Sequence, residues 1–313
     1  MLEVKNLKKR FSSGIFFKSY LDAVDDVSFS IAKGETLGLV GESGSGKSTV
    51  GQCVIRLIEP TGGTIMFNGI DLRSLNGRAL NRVRPSMQMI FQDPDSSLDP
   101  RMTIGQSIAE PFRLKKVARN EVKGEVLRLI EKVGLSPEHY NRYPHQMSGG
   151  QNQRAVLARV LAINPLFIVA DEPTASLDVS VQAQILHLLM DLKREYGMTM
   201  LFISHDLAVI RHMCDRVAVM YRGKIVEQGP VSAVFESPAH PYTRLLLSRT
   251  EEAEQSVKQE NGSGDAKGCR FRGRCSLARA VCETTEPAFR EIGAGHTVAC
   301  HMTVLPKAEI THE

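Results

Sequence analysis

Residues 41–49 read Gly-Glu-Ser-Gly-Ser-Gly-Lys-Ser-Thr, a complete G-x-x-x-x-G-K-[ST] string whose flanks constrain the fold as much as the string itself. The apolar run Thr36-Leu37-Gly38-Leu39-Val40 before it has the length of a short buried strand. Val50 to Ile58 after it can continue as a helix. A strand–loop–helix unit gathers backbone N–H groups and a helix N-terminus around a phosphate. Gly41, Gly44 and Gly46 permit turns that a Cβ would obstruct. Lys47 would reach the β/γ-phosphates, the Ser48 hydroxyl would ligate Mg²⁺, and Glu42, Ser43, Ser45 and Thr49 complete the loop. A glycine-rich turn without a ligand is the competing reading, and the strand–helix context disfavours it. The string implies a nucleoside triphosphate site.

Composition sets the limits. With 313 residues, 42% of them hydrophobic, the chain can form one large α/β domain with appendages. Its 39 basic and 35 acidic residues leave a net charge of only +4, without the clustered basic stripe that nucleic acid wants. No apolar stretch approaches the ~20 residues needed to span a bilayer. Glu3, Lys5 and Lys8 interrupt the N-terminal apolar residues, against a secretory signal. A soluble, cytosolic protein able to dock on a membrane protein is expected.

Leu2 to Val4, Val27 to Ile31 and Gly63 to Phe67 alternate as β-structure, the last before an Asn68-Gly69 turn. Ser12 to Tyr20 reads as a mobile loop. Helical spacing appears over Asn120 to Val133, with Val122, Val126, Leu129, Ile130 and Val133 on one face. Leu166 to Ala170 reads as a buried parallel strand, followed by a helix over Val181 to Tyr196 and a strand over Met200 to Ile203. A hairpin follows, Val217 to Met220 and Lys224 to Val226, turning at Arg222-Gly223. The expected fold is an α/β P-loop NTPase core with a mostly parallel sheet, an N-terminal antiparallel part and a helical insert over about 93–158. Thr250 to Gly268 is polar and reads as a tether; beyond it lies a small cysteine-rich extension. The expected division is 1–249, 250–268 and 269–313.

The 166–170 strand runs straight into Asp171-Glu172. An acidic residue ending a buried strand beside the loop is placed to hold Mg²⁺, and the next carboxylate can polarise the attacking water as general base. A solvated pair of strand-end carboxylates is the alternative.

Met147-Ser148-Gly149-Gly150-Gln151 resembles the signature motif of the ABC ATPases, usually Leu-Ser-Gly-Gly-Gln. Read physically, Ser148 and its glycines, with Gln151, offer a hydroxyl and bare N–H groups at the start of a helix over Asn152 to Ala162, a second anion site. Two phosphate sites about a hundred residues apart suit a head-to-tail dimer, each ATP held between one subunit's P-loop and the other's signature. The resemblance implies further roles. Gln92 corresponds to the Q-loop glutamine, with Ser48 and Asp171 as its Mg²⁺ companions. Asp178 lies in the D-loop, His205 is the switch histidine that steadies the γ-phosphate, and Glu172 is the general base. Phe11 best fits the aromatic that stacks on adenine, with Tyr20 and Phe16 open. The nucleotide-binding match spans about residues 1–235, and methionine for leucine at 147 is its one departure.

Phe91-Gln92-Asp93-Pro94, Ser96 to Met102, Arg142 to His145 and above all Ser237 to Leu246 resemble the ATPase subunits of oligopeptide and dipeptide importers, more the second, F-type subunit. That implies a different ATPase as dimer partner, two membrane permeases, an external solute-binding protein and a place on the cytoplasmic face of the membrane. Residues 93–105 are expected to meet the permease. A nickel-importer ATPase is the alternative within the family. A DNA-repair or chromosome ATPase fits less well, since about 125 residues without sustained heptads separate the P-loop from Asp171. A two-cassette translation factor and a metal-sensing regulator fit less well still.

Cys269, Cys275, Cys282 and Cys300 form a C-x5-C-x6-C-x17-C array, with His296 and His301 beside the last. Four thiols in a short, weakly hydrophobic segment suggest a metal-organised knot. The family resemblance implies a [4Fe–4S] cluster; zinc, or unligated buried thiols, stay open. Cys53 and Cys214 read as small core residues.

Overall fold

The computed structural model describes residues 1–13, 19–115, 117–248 and 267–302. The middle of the insertion expected after Ser12, with Phe16, and nearly all of the 250–268 tether lie outside the described residues.

Two strands, β1 (Leu2–Ser13) and β2 (Ser19–Ile31), pair antiparallel as far as Ser13 with Ser19, so strand replaces loop at both ends of the expected insertion. With β4 (Gly62–Phe67) and β5 (Ile70–Asp71) they form a sheet ordered β2-β1-β4-β5. Asn68 and Gly69 both take positive φ, 48° and 82°, as a type I′ hairpin turn requires.

The main sheet runs β11-β12-β10-β9-β3-β8-β7-β6. Its strands are β3 (Thr36–Val40), β6 (Met87–Ile90), β7 (Phe167–Asp171), β8 (Thr199–Ile203), β9 (Arg216–Tyr221), β10 (Lys224–Pro230), β11 (Arg290–Gly293) and β12 (His296–Val298). Neighbours from β6 to β9 run parallel. β3, β7 and β8 are buried at every residue, which is why their sequences are apolar apart from Thr36, Asp171 and Thr199 at their ends rather than alternating. One apolar core lies between this sheet, α1 (Lys47–Val54) and the antiparallel sheet. α1 starts earlier and ends sooner than expected, and Arg56 just beyond it takes a left-handed φ of 51°.

The second core is helical and spans the opposite face. After α2 (Gly77–Val83), the insert comprises α3 (Pro94–Ser97), α4 (Ile104–Leu114), α5 (Arg119–Lys132) and α6 (Gly149–Leu161). α5 buries Val126, Leu129 and Ile130, the stripe that the spacing predicts. α7 (Val179–Tyr196), α8 (Leu207–Met213), α9 (Val231–Glu236) and α10 (Pro241–Ser248) complete the described helical layer.

The cysteine-rich extension is not a bead on a string. Its β12 joins the main sheet antiparallel to β10, setting Val298 opposite Glu227. Across that seam His296 Nε2 lies 2.7 Å from Glu227 Oε1, both buried, and the other oxygen accepts the His240 backbone N–H at 2.8 Å. A buried carboxylate needs such partners, and the extension supplies one of them.

Candidate nucleotide site

The C-terminal ends of β3, β7 and β8 bring the chemistry together, because parallel strands deliver their loops to one rim. A Cβ on Gly41 would lie 2.1 Å from the Met220 carbonyl oxygen, and one on Gly46 2.2 Å from that of Ala23. Only glycine fits at either position, so the loop can press against β9 and β2. Gly46 caps α1 in a left-handed conformation with no side-chain cap, leaving the helix's first N–H groups for an anion. The Ser45 hydroxyl is buried without a partner, a donor that fits a phosphate oxygen.

Lys47 Nζ donates to the carbonyls of Gly41 at 2.7 Å and Glu42 at 2.9 Å. Burial lowers its pKa, while Glu172, Asp171 and Glu42 act in the opposite sense. Ser48 Oγ donates to Asp171 Oδ1 at 3.0 Å. Burial raises the Asp171 carboxyl above its usual range, and that hydrogen bond partly offsets the rise. A hydroxyl beside a desolvated carboxylate is the hard-oxygen pair Mg²⁺ takes, the rest of its shell coming from phosphate and water.

Glu172 holds a left-handed backbone, φ 46°, uncommon away from glycine. Its N–H donates to the Ile203 carbonyl at 2.9 Å. The parallel register setting Asp171 beside Ile203 then brings His205 to it: Nδ1 lies 3.2 Å from Glu172 Oε1. Gln92 is exposed just past β6, whose Ile90 pairs with Ala170, so it leaves the sheet on the same rim.

Ser148 stands on other elements. It caps α6 through a reciprocal box with Gln151: its Oγ accepts the Gln151 N–H at 3.3 Å and its N–H donates to Gln151 Oε1 at 2.9 Å. Ser148 and Gly149 are exposed. A Cβ on Gly150 would meet Val181 Cγ1 at 2.4 Å, so the motif lies against the start of α7. Asp178, exposed at that start, follows a turn in which the Ala175 N–H donates to the Glu172 carbonyl at 3.2 Å. The segment that resembles a D-loop is thus tied to the candidate base.

Phe11 is 38% exposed with Lys9 Nζ 4.8 Å over its ring; Tyr20 is 61% exposed. Both remain available to a base.

Cys269, Cys275, Cys282 and Cys300 are free thiols close enough that the other three raise the pKa of Cys269, though burial is the larger cause. Among the described residues no three His, Cys, Asp or Glu are grouped to hold a metal ion.

Sequence reasoning missed three supports of the phosphate loop. The Glu42 N–H donates to Tyr242 Oη at 2.9 Å, Arg274 grips the Glu42 carboxylate through two nitrogens, and the Gly223 N–H donates to the Ser45 carbonyl at 2.8 Å. All three partners are more than 170 residues away along the chain, and no local pattern announces such contacts.

Comparison with known proteins fits this arrangement. Residues 24–175 match the family described as ABC transporter, and residues 226–282 match the oligopeptide/dipeptide transporter C-terminal region. A putative peptide import ATP-binding protein of Brucella melitensis is 46% identical over 310 residues, 96% of this chain and 97% of that one. The oligopeptide transport ATP-binding protein AppF of Bacillus subtilis is 46% identical over 319 residues, with the same coverage. The glutathione import ATP-binding protein GsiA of Pectobacterium atrosepticum is 50% identical over 264 residues, 83% of this chain and 42% of that protein. In structure, the ATP-binding cassette MJ0796, solved as a dimer in a post-hydrolysis state bound to ADP and phosphate, superposes with a TM-score of 0.67. It is 30% identical and covers 74% of this chain and 99% of its own.

Proposed function

The chain belongs to the ABC transporter family of ATPases, and from that premise we propose that it hydrolyses ATP to power a peptide importer. The observation that carries this reading is the Ser48–Asp171 and Glu172–His205 arrangement at the rim of one sheet, in a chain whose near-full-length relatives are named for peptide import. Those names, with the match to the oligopeptide/dipeptide C-terminal region, favour peptide over nickel and over a DNA-repair ATPase.

Each residue has a task. Residues 41–49 hold the triphosphate, and Phe11 supports the adenine. Ser48, Asp171 and Gln92 would hold Mg²⁺, which neutralises phosphate charge when bound. Glu172 orients and deprotonates the attacking water, and His205 fixes the Glu172 carboxylate through its Nδ1 proton. Ser148, Gly149, Gly150 and Gln151 face the nucleotide of a second ATPase, with Asp178 at the seam. The exposure of Ser148 and Gly149, on elements other than those of the phosphate loop, supports that division of labour. Closure of such a dimer can shift the permeases only by as much as ATP prefers the closed form.

The partners in this reading are a second, different ATPase subunit, two permeases and, indirectly, a solute-binding protein; the chain takes the F-type role on the cytoplasmic face of the membrane. Among the described residues no helix is long and apolar enough to cross a membrane. Co-expression with untagged permeases and partner ATPase, followed by reconstitution, tests the whole. Peptide-stimulated phosphate release is expected; stimulation by nickel alone, or recovery with DNA or ribosomes, overturns it.

For the extension, the reading is a [4Fe–4S] cluster at Cys269, Cys275, Cys282 and Cys300 rather than zinc. Zinc would take the same four thiols. A cluster needs four thiolates, one for each iron, and the extension carries four in a short segment, all of them free thiols. Iron and sulfide analysis of anaerobic protein tests this, and stoichiometric zinc rejects it.

A further inference from the structure

Among the described residues, the extension reaches the phosphate loop through Arg274. Arg274 Nη1 and Nη2 donate to Glu42 Oε2 and Oε1 at 3.0 and 2.9 Å, while its guanidinium lies 5.8 Å from the Tyr221 ring centre and 5.7 Å from that of Phe271. The Arg274 side chain is 9% exposed and Glu42 26%, so the pair is largely withdrawn from water. As a stability device it is poor. Desolvating two charges roughly cancels their attraction, and Arg274 Nε stays buried without a partner. A second anchor lies near it: Arg270, directly after Cys269, pairs with Asp25 and the Arg222 carbonyl, while Arg274 itself directly precedes Cys275.

We infer that Arg274 is a positioning residue for the triphosphate: it holds and neutralises Glu42 so that the loop meets the anion without a competing carboxylate. The inference rests on residues 41–49 being the ATP site. Glu42 is one residue into that loop, and its charge already acts on Lys47. Released, it repels the phosphates and competes for the Lys47 ammonium. Held, its backbone N–H stays on Tyr242 and its carbonyl on Lys47, and the loop keeps one shape. Because Arg270 and Arg274 adjoin Cys269 and Cys275, whatever fixes those cysteines also fixes this grip. The extension is in this sense part of the nucleotide site.

The test is titration of the full chain with a fluorescent ATP analogue and Mg²⁺, using Arg274→Met, Arg274→Lys, Glu42→Gln and the double variant E42Q/R274M. R274M is expected to weaken binding about tenfold, the effect of one unscreened charge near the phosphates, with the loss appearing in KM rather than kcat. In the Glu42→Gln background the same substitution is expected to change affinity less than about threefold, because the charge it restrains is gone. Should R274M fail to fold, Arg274→Lys carries the test, with a smaller loss that Glu42→Gln likewise erases. Wild-type affinity in the Arg274 variants, or an equal loss with and without Glu42→Gln, overturns the inference. Lys47→Ala separates the premise: if that variant binds nucleotide normally, the site reading fails instead.

Discussion

Glu172 Oε1 stands 3.2 Å from His205 Nδ1 although 33 residues separate them, because β7 and β8 are parallel neighbours in a register that ends both at one rim. The carboxylate is 18% exposed and the imidazole 64%, so the histidine forms the solvent side of the pair. Glu172 is held from the backbone as well, through its left-handed φ and its bond to Ile203.

In the proposed function chemistry falls to Glu172 and binding to the loop. Glu172→Gln is expected to lower phosphate release by about 10²- to 10⁴-fold while nucleotide affinity stays close to wild type. Measuring both on one preparation checks it, and turnover within threefold of wild type would remove Glu172 from the role of base.

The Ser48–Asp171 contact separates metal from nucleotide. Asp171→Asn keeps the shape but loses the charge, so the gain in ATP affinity on adding Mg²⁺ is expected to shrink about tenfold or more. EDTA is expected to abolish turnover in the wild type. Equal Mg²⁺ responses in variant and wild type would place the ion elsewhere.

His240 gives the fold a pH dependence. Burial first, then Arg244, lowers its pKa to about 4, and its Nδ1 accepts the Tyr242 N–H, which a proton there would displace. The unfolded chain, with its histidine near 6.5, binds the proton more readily between those values. Stability is therefore full above about pH 6.5, falls as pH drops towards 4, and loses at most roughly 3–4 kcal/mol to this group. Urea midpoints at pH 7 and pH 5 should differ more in the wild type than in His240→Asn; equal differences would refute the assignment.

Gly150, assigned to the signature in the proposed function, is also a packing requirement. A methyl group there meets Val181 at 2.4 Å, and valine cannot swing aside because its χ1 is stiff. Overpacking of about 1–3 kcal/mol exceeds the helix-propensity gain of roughly 1 kcal/mol for Gly→Ala. Gly150→Ala is expected to lower Tm and Val181→Ala to restore it, whereas Gly149→Ala, 3.3 Å from Leu177, should be milder. Thermal melts of the four proteins decide it.

The parts readable beforehand share one property: each is a contiguous string whose neighbours supply its context. The phosphate loop announces itself because its strand and helix flank it directly, and β7 because a doubly buried strand must be apolar throughout. The insertion after Ser12 was misread at both ends because Gly/Ser-rich segments carry weak alternation, and long-range pairing with β2 decided its strand state.

Residues 36–49 and 166–172 determined the α/β core by themselves and, with 147–151, carried the proposed nucleotide chemistry, since short-range periodicity and glycine placement suffice for a strand, a loop and a helix. Only the tertiary structure decided that β12 would complete the sheet beside β10, that His205 would meet Glu172, and that Arg274 would close on Glu42 from 232 residues away. Such contacts depend on which strand edge and which buried charge lie free when the chain collapses. No local pattern encodes that, because the free energy of each contact belongs to both partners at once.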